Sequence, residues 1–163
     1  MGHSITALVV PEAIDTDAAA RWDLVPVPLY DGLSLLHVTH YYTAYWQAVH
    51  GVTGQMERPR GMPALFPGED VIRVIVADLT ARLDPSFAVV HTDYSAGVGA
   101  QWGAVCLAGA AIRSVSTVNA ALRILGIVAM AGSDEFDTVG LGRHRSTPDY
   151  LERYVDLCDE LGV

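Results

Sequence analysis

Two apolar, β-rich runs, Phe87 to Tyr94 and Gln101 to Ala108, flank a glycine-bearing turn from Ser95 to Ala100, and this arrangement commits the middle of the chain to an antiparallel hairpin. Immediately before it, Ile72, Ile75, Val76, Leu79 and Leu83 recur at helical spacing behind Glu69 and Asp70, whose charges suit a helix N-terminus, and Asp84-Pro85 closes the segment. A helix feeding a hairpin through a short link points away from a parallel α/β sheet, in which strands and helices alternate one for one.

The flanking segments extend the same pattern. His3 to Val10 reads as a strand ended by Pro11, Asp15 to Trp22 as a short Ala-rich helix, and Leu24 to Leu29, with Pro26 and Pro28, as an edge or irregular strand. Asp31-Gly32 turns the chain into a strand from Leu33 to Thr39. Tyr42, Tyr45, Trp46 and Val49 give His40 to His50 an aromatic helical face that Gly51 stops. Gly51 to Gly68, rich in glycine and proline but carrying Met56, Met62 and Phe66, is expected to be a long anchored loop and the best lid candidate. Ser116 is placed to cap a helix through Leu125, Ile127 to Met130 reads as a short strand, and Thr147-Pro148 opens a last helix marked by Leu151, Tyr154, Val155, Cys158 and Gly162. The whole, residues 1–163, is expected to be a single α+β domain: an antiparallel or mixed sheet with helices packed mainly on one side.

Composition narrows function. The chain has 163 residues, enough for a real core, and a formal charge of −9 that argues against nucleic acid, which is bound through clustered cations. It contains no lysine, which removes Schiff-base chemistry, pyridoxal phosphate anchoring and the Walker lysine. No apolar run reaches the roughly 18 residues a membrane span needs, and no basic region precedes the first apolar stretch, so a cytoplasmic protein off the membrane is expected. Cys106 in an apolar run and Cys158 in a helical pattern fit buried thiols in a reducing compartment, with a disulfide between them left open.

Three stretches carry residues able to do chemistry. In His91-Thr92-Asp93-Tyr94, strand alternation puts His91 and Asp93 on one face, where the carboxylate can orient an imidazole acting as general base and Gln101 or Trp102 can line the same spot; the alternative is a polar strand end satisfying nearby backbone. His37 and His40 have the spacing of a metal pair on a helix but point apart on the strand expected here, so no metal is expected. The polar run Asp134 to Arg145 joins three carboxylates to Arg143, His144 and Arg145, with Phe136, Val139 and Leu141 as apolar anchors; it reads either as an ordered, site-lining segment or as a solvated loop.

Two functions follow as expectations. One is a cofactor-independent acid/base enzyme, an isomerase, cyclase or dehydratase on a small, partly apolar metabolite. Its catalytic groups would be His91, Asp93 and His144, and Tyr42, Trp46, Tyr94, Gln101, Trp102, Asp137 and Arg143 would bind substrate. The other is an acidic module of the immunity or regulatory type without catalysis, meeting a basic protein partner through Asp149, Glu152, Asp156, Asp159 and Glu160 of the last helix. A homodimer is compatible with either.

Overall fold

The computed structural model describes residues 2–58, 60–62 and 65–163. Met1, and Pro59, Pro63 and Ala64 of the expected lid, lie outside the described residues. The elements run β1 (His3–Val10), α1 (Thr16–Arg21), β2 (Val27–Pro28), β3 (Ser34–His37), α2 (His40–Val49), α3 (Val71–Thr80), β4 (Phe87–Ser95), β5 (Val98–Cys106), β6 (Arg113–Val115), α4 (Val118–Ile124), α5 (Glu135–Val139) and α6 (Arg153–Leu161). Short 3₁₀ turns at Leu141–Arg143 and Asp149–Leu151 precede α6. The six strands form one sheet in the order β2-β3-β1-β4-β5-β6, every neighbouring pair antiparallel. This is the α+β fold expected from the sequence.

Strand parity divides the core into two layers. Leu8, Val10, Leu36, Phe87, Val89, Ala104 and Cys106 face one way, against Trp22 and the buried residues of α1, α2, α3 and α6. Ile5, Ala7, Val9, Leu35, Ala88, Val90 and Val105 face the other way, against Val118, Ala121 and Leu122 of α4, Val139 of α5, and Leu141. Helices therefore lie mainly on one side, and two short ones, α4 and α5, cover part of the other. Gly103 makes room for α4: a Cβ there would sit 3.0 Å from Val115 Cγ2 and 3.2 Å from Ala121 Cβ.

Local differences from expectation have local causes. The central turn is tighter than Ser95 to Ala100: Ser95 pairs directly with Val98, and Ala96 and Gly97, both at positive φ (52° and 78°), make a two-residue turn matching the twist of the strands. Leu83 is not part of the buried stripe of α3. The helix ends at Ala81 in the left-handed region (φ 52°), after which Leu83 is 95% exposed. The cap of α4 is Thr117, whose side chain accepts from Ala120 N at 3.0 Å, and not Ser116. Ile127 to Met130 forms no strand, and Val128 and Met130 point into solvent, while a short strand, β6, appears where none was expected. Thr147-Pro148 leads first into the 3₁₀ turn, so α6 starts at Arg153, and Val155 is on its exposed side. Both cysteines are free and buried: Cys106 Sγ donates to Ala110 O and Cys158 Sγ to Tyr41 O, each at 3.2 Å. Among the described residues no helix is long and apolar enough to cross a membrane.

Candidate functional site

The polar run 134–145 folds into ordered structure. Asp134 caps α5 through Oδ1, which accepts from Asp137 N at 2.8 Å, and its Oδ2 accepts from Asn119 Nδ2 at 3.0 Å. Asn119 Oδ1 in turn accepts from Phe136 N at 2.8 Å, and Arg123 of α4 pairs with Glu135 at 2.8 Å, so α5 is pinned to α4 at both turns. Val139 and Leu141 are fully buried, and Gly140 (φ 82°) ends α5 in the left-handed conformation that glycine adopts without penalty. β3 stops at His37, opposite Ala7, which leaves the edge of the first residues of β1 unpaired; Ser4 N fills it by donating to Arg145 O at 2.9 Å.

These constraints enclose a cavity of about 400 Å³ over the end of the sheet. Its floor is His3, Thr92, Tyr94 and Gln101, which parity places on one face; Asn119, Asp134, Phe136 and Asp137 form a wall and Arg145 the rim. His3 is held twice. Leu141 O can only accept, so His3 Nε2–H donates to it at 3.2 Å, while Nδ1 shares a hydrogen bond of 2.7 Å with Thr92 Oγ1, which also accepts from Ile5 N at 3.3 Å. With Phe136 edge-on at 5.2 Å, the His3 ring is a fixed part of the floor. Gln101 is oriented by Val118 N, which donates to its Oε1 at 2.7 Å, so its Nε2 donates to Tyr94 Oη at 3.0 Å. The Tyr94 hydroxyl proton is consequently free to be donated into the cavity.

The other residues expected at the site are placed elsewhere. His91 and Asp93 do share a face, but it is the opposite one. His91 Nδ1 bonds Thr6 Oγ1 at 2.8 Å, and its ring lies against Trp102 (5.4 Å) and Phe66 (6.3 Å). Burial lowers its pKa, a shift partly opposed by the negative charge of Asp93, which is itself exposed. Threonine, not Asp93, is thus the hydrogen-bond partner that orients His91. Trp102 borders a separate groove of about 340 Å³ with Arg60 and Ser114 to Ser116, and Gln101 reaches it across the free edge of β5. Arg143 stacks over the Tyr30 ring at 5.2 Å, and with His144 it lines a third hollow, of about 290 Å³, on the far side of the 134–145 segment.

Tyr42 and Trp46 are not a pocket wall. Tyr42 is fully buried, donates to Trp22 O at 2.7 Å and meets Trp46 and Tyr154 edge-on, because the aromatic face of α2 packs against α6 and Trp22. Burial raises its pKa well above the usual phenol range.

His37 and His40 also part. His37 is buried with Nδ1 unpartnered, and its pKa falls to about 4, through burial first and then the charges of His144 and His3. Its neighbour His144 is lowered for like reasons, with Arg143 contributing. His40 opens α2 on the other face, where its Nδ1 lies 2.9 Å from Oε1 of buried Glu69 without the alignment of a hydrogen bond. Glu69 Oε2 accepts from Thr43 Oγ1 at 2.5 Å and Gly68 N at 3.0 Å. Among the described residues no group of three or more His, Cys, Asp or Glu is placed to hold a metal ion.

Sequence reasoning therefore named Tyr94, Gln101 and Asp137 as site residues of the cavity, singled out Phe136 and Arg145 within the polar run, and missed His3, Thr92 and Asn119. The parity of Thr92 and Tyr94 was a usable signal, since it separates them from His91; nothing local marked His3 or Asn119. No known family model, no characterised protein and no solved structure matches this chain.

Proposed function

We propose that the protein is an acid/base enzyme acting on a small, partly apolar metabolite in the cavity of about 400 Å³, without a cofactor. One observation carries this: a proton acceptor and a proton donor, both uncommitted, face the same cavity. The Asp137 carboxylate has no hydrogen-bond or ion-pair partner among the described residues, and the Tyr94 hydroxyl keeps its proton for a ligand. Phe136 supplies the apolar wall, and the rigid support of His3, Gln101 and Asn119 fixes the positions that proton transfer requires. His91 is assigned no step, since its ring is enclosed by Phe66, Trp102 and Thr6 on the other face.

The test is incubation with a mixture of small metabolites, followed by NMR of both mixture and protein. The expected result is conversion of one component, amide shifts centred on Tyr94, Gln101, Phe136 and Arg145, and a loss of turnover of about 10²- to 10⁴-fold in Asp137→Asn with the fold retained. Shifts confined to the Tyr30 and Arg143 hollow, or unchanged turnover in that variant, would refute the assignment.

A second reading, an acidic module for a basic protein partner, is supported by the exposed Glu152, Asp156, Asp159 and Glu160 of the last helix, whose Arg153 is already paired with Asp23. Salt-sensitive association through that helix, with no ligand in the cavity, would favour it.

A further inference from the structure

Resting on the same reading of the cavity as the ligand site, we propose that its ligand is a zwitterion: a small molecule carrying an ammonium group that meets Asp137 and a carboxylate that meets Arg145. The chain has ten arginines and no lysine. Arg21, Arg82, Arg123 and Arg153 are each neutralised by a carboxylate, as expected where acids outnumber bases by nineteen to ten. Arg145 is not. No carboxylate is within ion-pair reach of it among the described residues, although it shares its cavity with Asp134 and Asp137.

The two acids differ in availability. Asp134 has both oxygens engaged, by Asp137 N and Asn119 Nδ2, whereas the Asp137 carboxylate is free. The cavity thus holds one uncommitted anion and one uncommitted cation that do not reach each other. Arg145 Nε donates to Gly142 O at 3.2 Å, which anchors the guanidinium and leaves its terminal N–H groups to grip a carboxylate. The Tyr94 hydroxyl proton is a further donor inside the same cavity. A ligand with opposite charges at its two ends satisfies both side chains at once, and an apolar segment between them is matched by Phe136. A neutral ligand of the same size leaves both charges to be desolvated without a partner, and a dianion meets Asp137.

The experiment is calorimetric titration of the full chain with free α-, β- and γ-amino acids, each also presented as its N-acetyl derivative and its methyl ester. At least one free amino acid is expected to bind, with affinity falling about tenfold or more when either end is blocked. In Asp137→Asn the penalty for N-acetylation should largely disappear while that for esterification remains; in Arg145→Gln the reverse is expected. Equal binding of free and blocked forms overturns the proposal, and so does absence of binding by every free amino acid at millimolar concentration. Neutral metabolites that bind with amide shifts at Tyr94 and Phe136, and that Asp137→Asn and Arg145→Gln leave unaffected, would keep the cavity as the ligand site while removing the zwitterion.

Discussion

Acid should unfold this protein partly through one histidine. His37 ends β3 with 4% of its surface exposed and its Nδ1 unpartnered, beside His3 and His144, and its pKa is lowered from 6.5 to about 4. Because the folded value lies below the unfolded one, the unfolded chain binds the extra proton first; stability is intact above about pH 6.5 and is lost as pH falls toward 4. At about 1.4 kcal/mol per pH unit, the fall from near pH 7.5 to near pH 5 removes about 1 to 2 kcal/mol through this group. His91 and His144 are lowered in the same direction and add to the slope, so the wild type alone does not isolate His37. The comparison is with His37→Phe, and with His37→Leu in case the larger ring overpacks. Urea unfolding at the two pH values, with the slope on denaturant checked for constancy, gives the difference. The variants should lose about 1 to 2 kcal/mol less than the wild type between them. Equal losses in all three proteins would refute the account of His37 as a buried, proton-excluding group.

Two stability predictions follow from the supports of the site. Leu141→Ala removes a fully buried side chain under the 3₁₀ turn and should cost about 2 to 5 kcal/mol in urea unfolding, with faster hydrogen exchange across residues 134–145; a cost below about 1 kcal/mol would mean that this segment is not anchored there. Glu69→Gln keeps the volume but puts an amide N–H₂ where a carboxylate now faces His40, Thr43 and Gly68 N, and should destabilise by about 1 to 3 kcal/mol; an unchanged unfolding midpoint would show that the buried cluster contributes nothing.

Local signals in the sequence were enough for the fold. The stripe from Ile72 to Leu79, the β-branched start, the prolines at 26 and 28 and the hairpin at 87–108 each report backbone geometry over a few residues, and the α+β sheet follows from their order. Two short elements did not announce themselves: β6 has three residues, and α5 has five, opened by the charged Asp134, Glu135 and Asp137, which read as a polar loop. Leu83 failed for a related reason, since periodicity does not reveal where a helix leaves its axis at a residue such as Ala81. The site was less legible than the fold because its parts come from distant positions: His3 bonds Leu141, 138 residues away, and Thr92, 89 away. Parity placed His91 and Thr92 on opposite faces, but only the helices above each face decide which is closed.

That decision is a matter of length. At about 3.3 Å per residue, the nine residues of β4 run about 30 Å, whereas α4, with seven residues at about 1.5 Å each, spans about 10 Å and α5 less. On the face that α4 and α5 cover, the sheet is roofed over Ala88 and Val90, Thr92 is buried beneath His3, and the cavity opens at Tyr94, where the polar ends of β1, β4 and β5 meet. On the other face Phe66, from the segment between α2 and α3, meets the His91 ring edge-on, and Trp102 and Thr6 flank it, which leaves His91 half-buried. Residues three apart on one strand, on opposite faces, therefore have different fates: His91, whose pKa burial lowers, packs against aromatic rings, and Tyr94 keeps a hydroxyl proton facing an open cavity. The cavity lies at the N-terminal ends of α4 and α5, where Asn119 and the cap Asp134 are bonded to each other and line it, so where these two helices begin is as much a part of the site as the side chains around it.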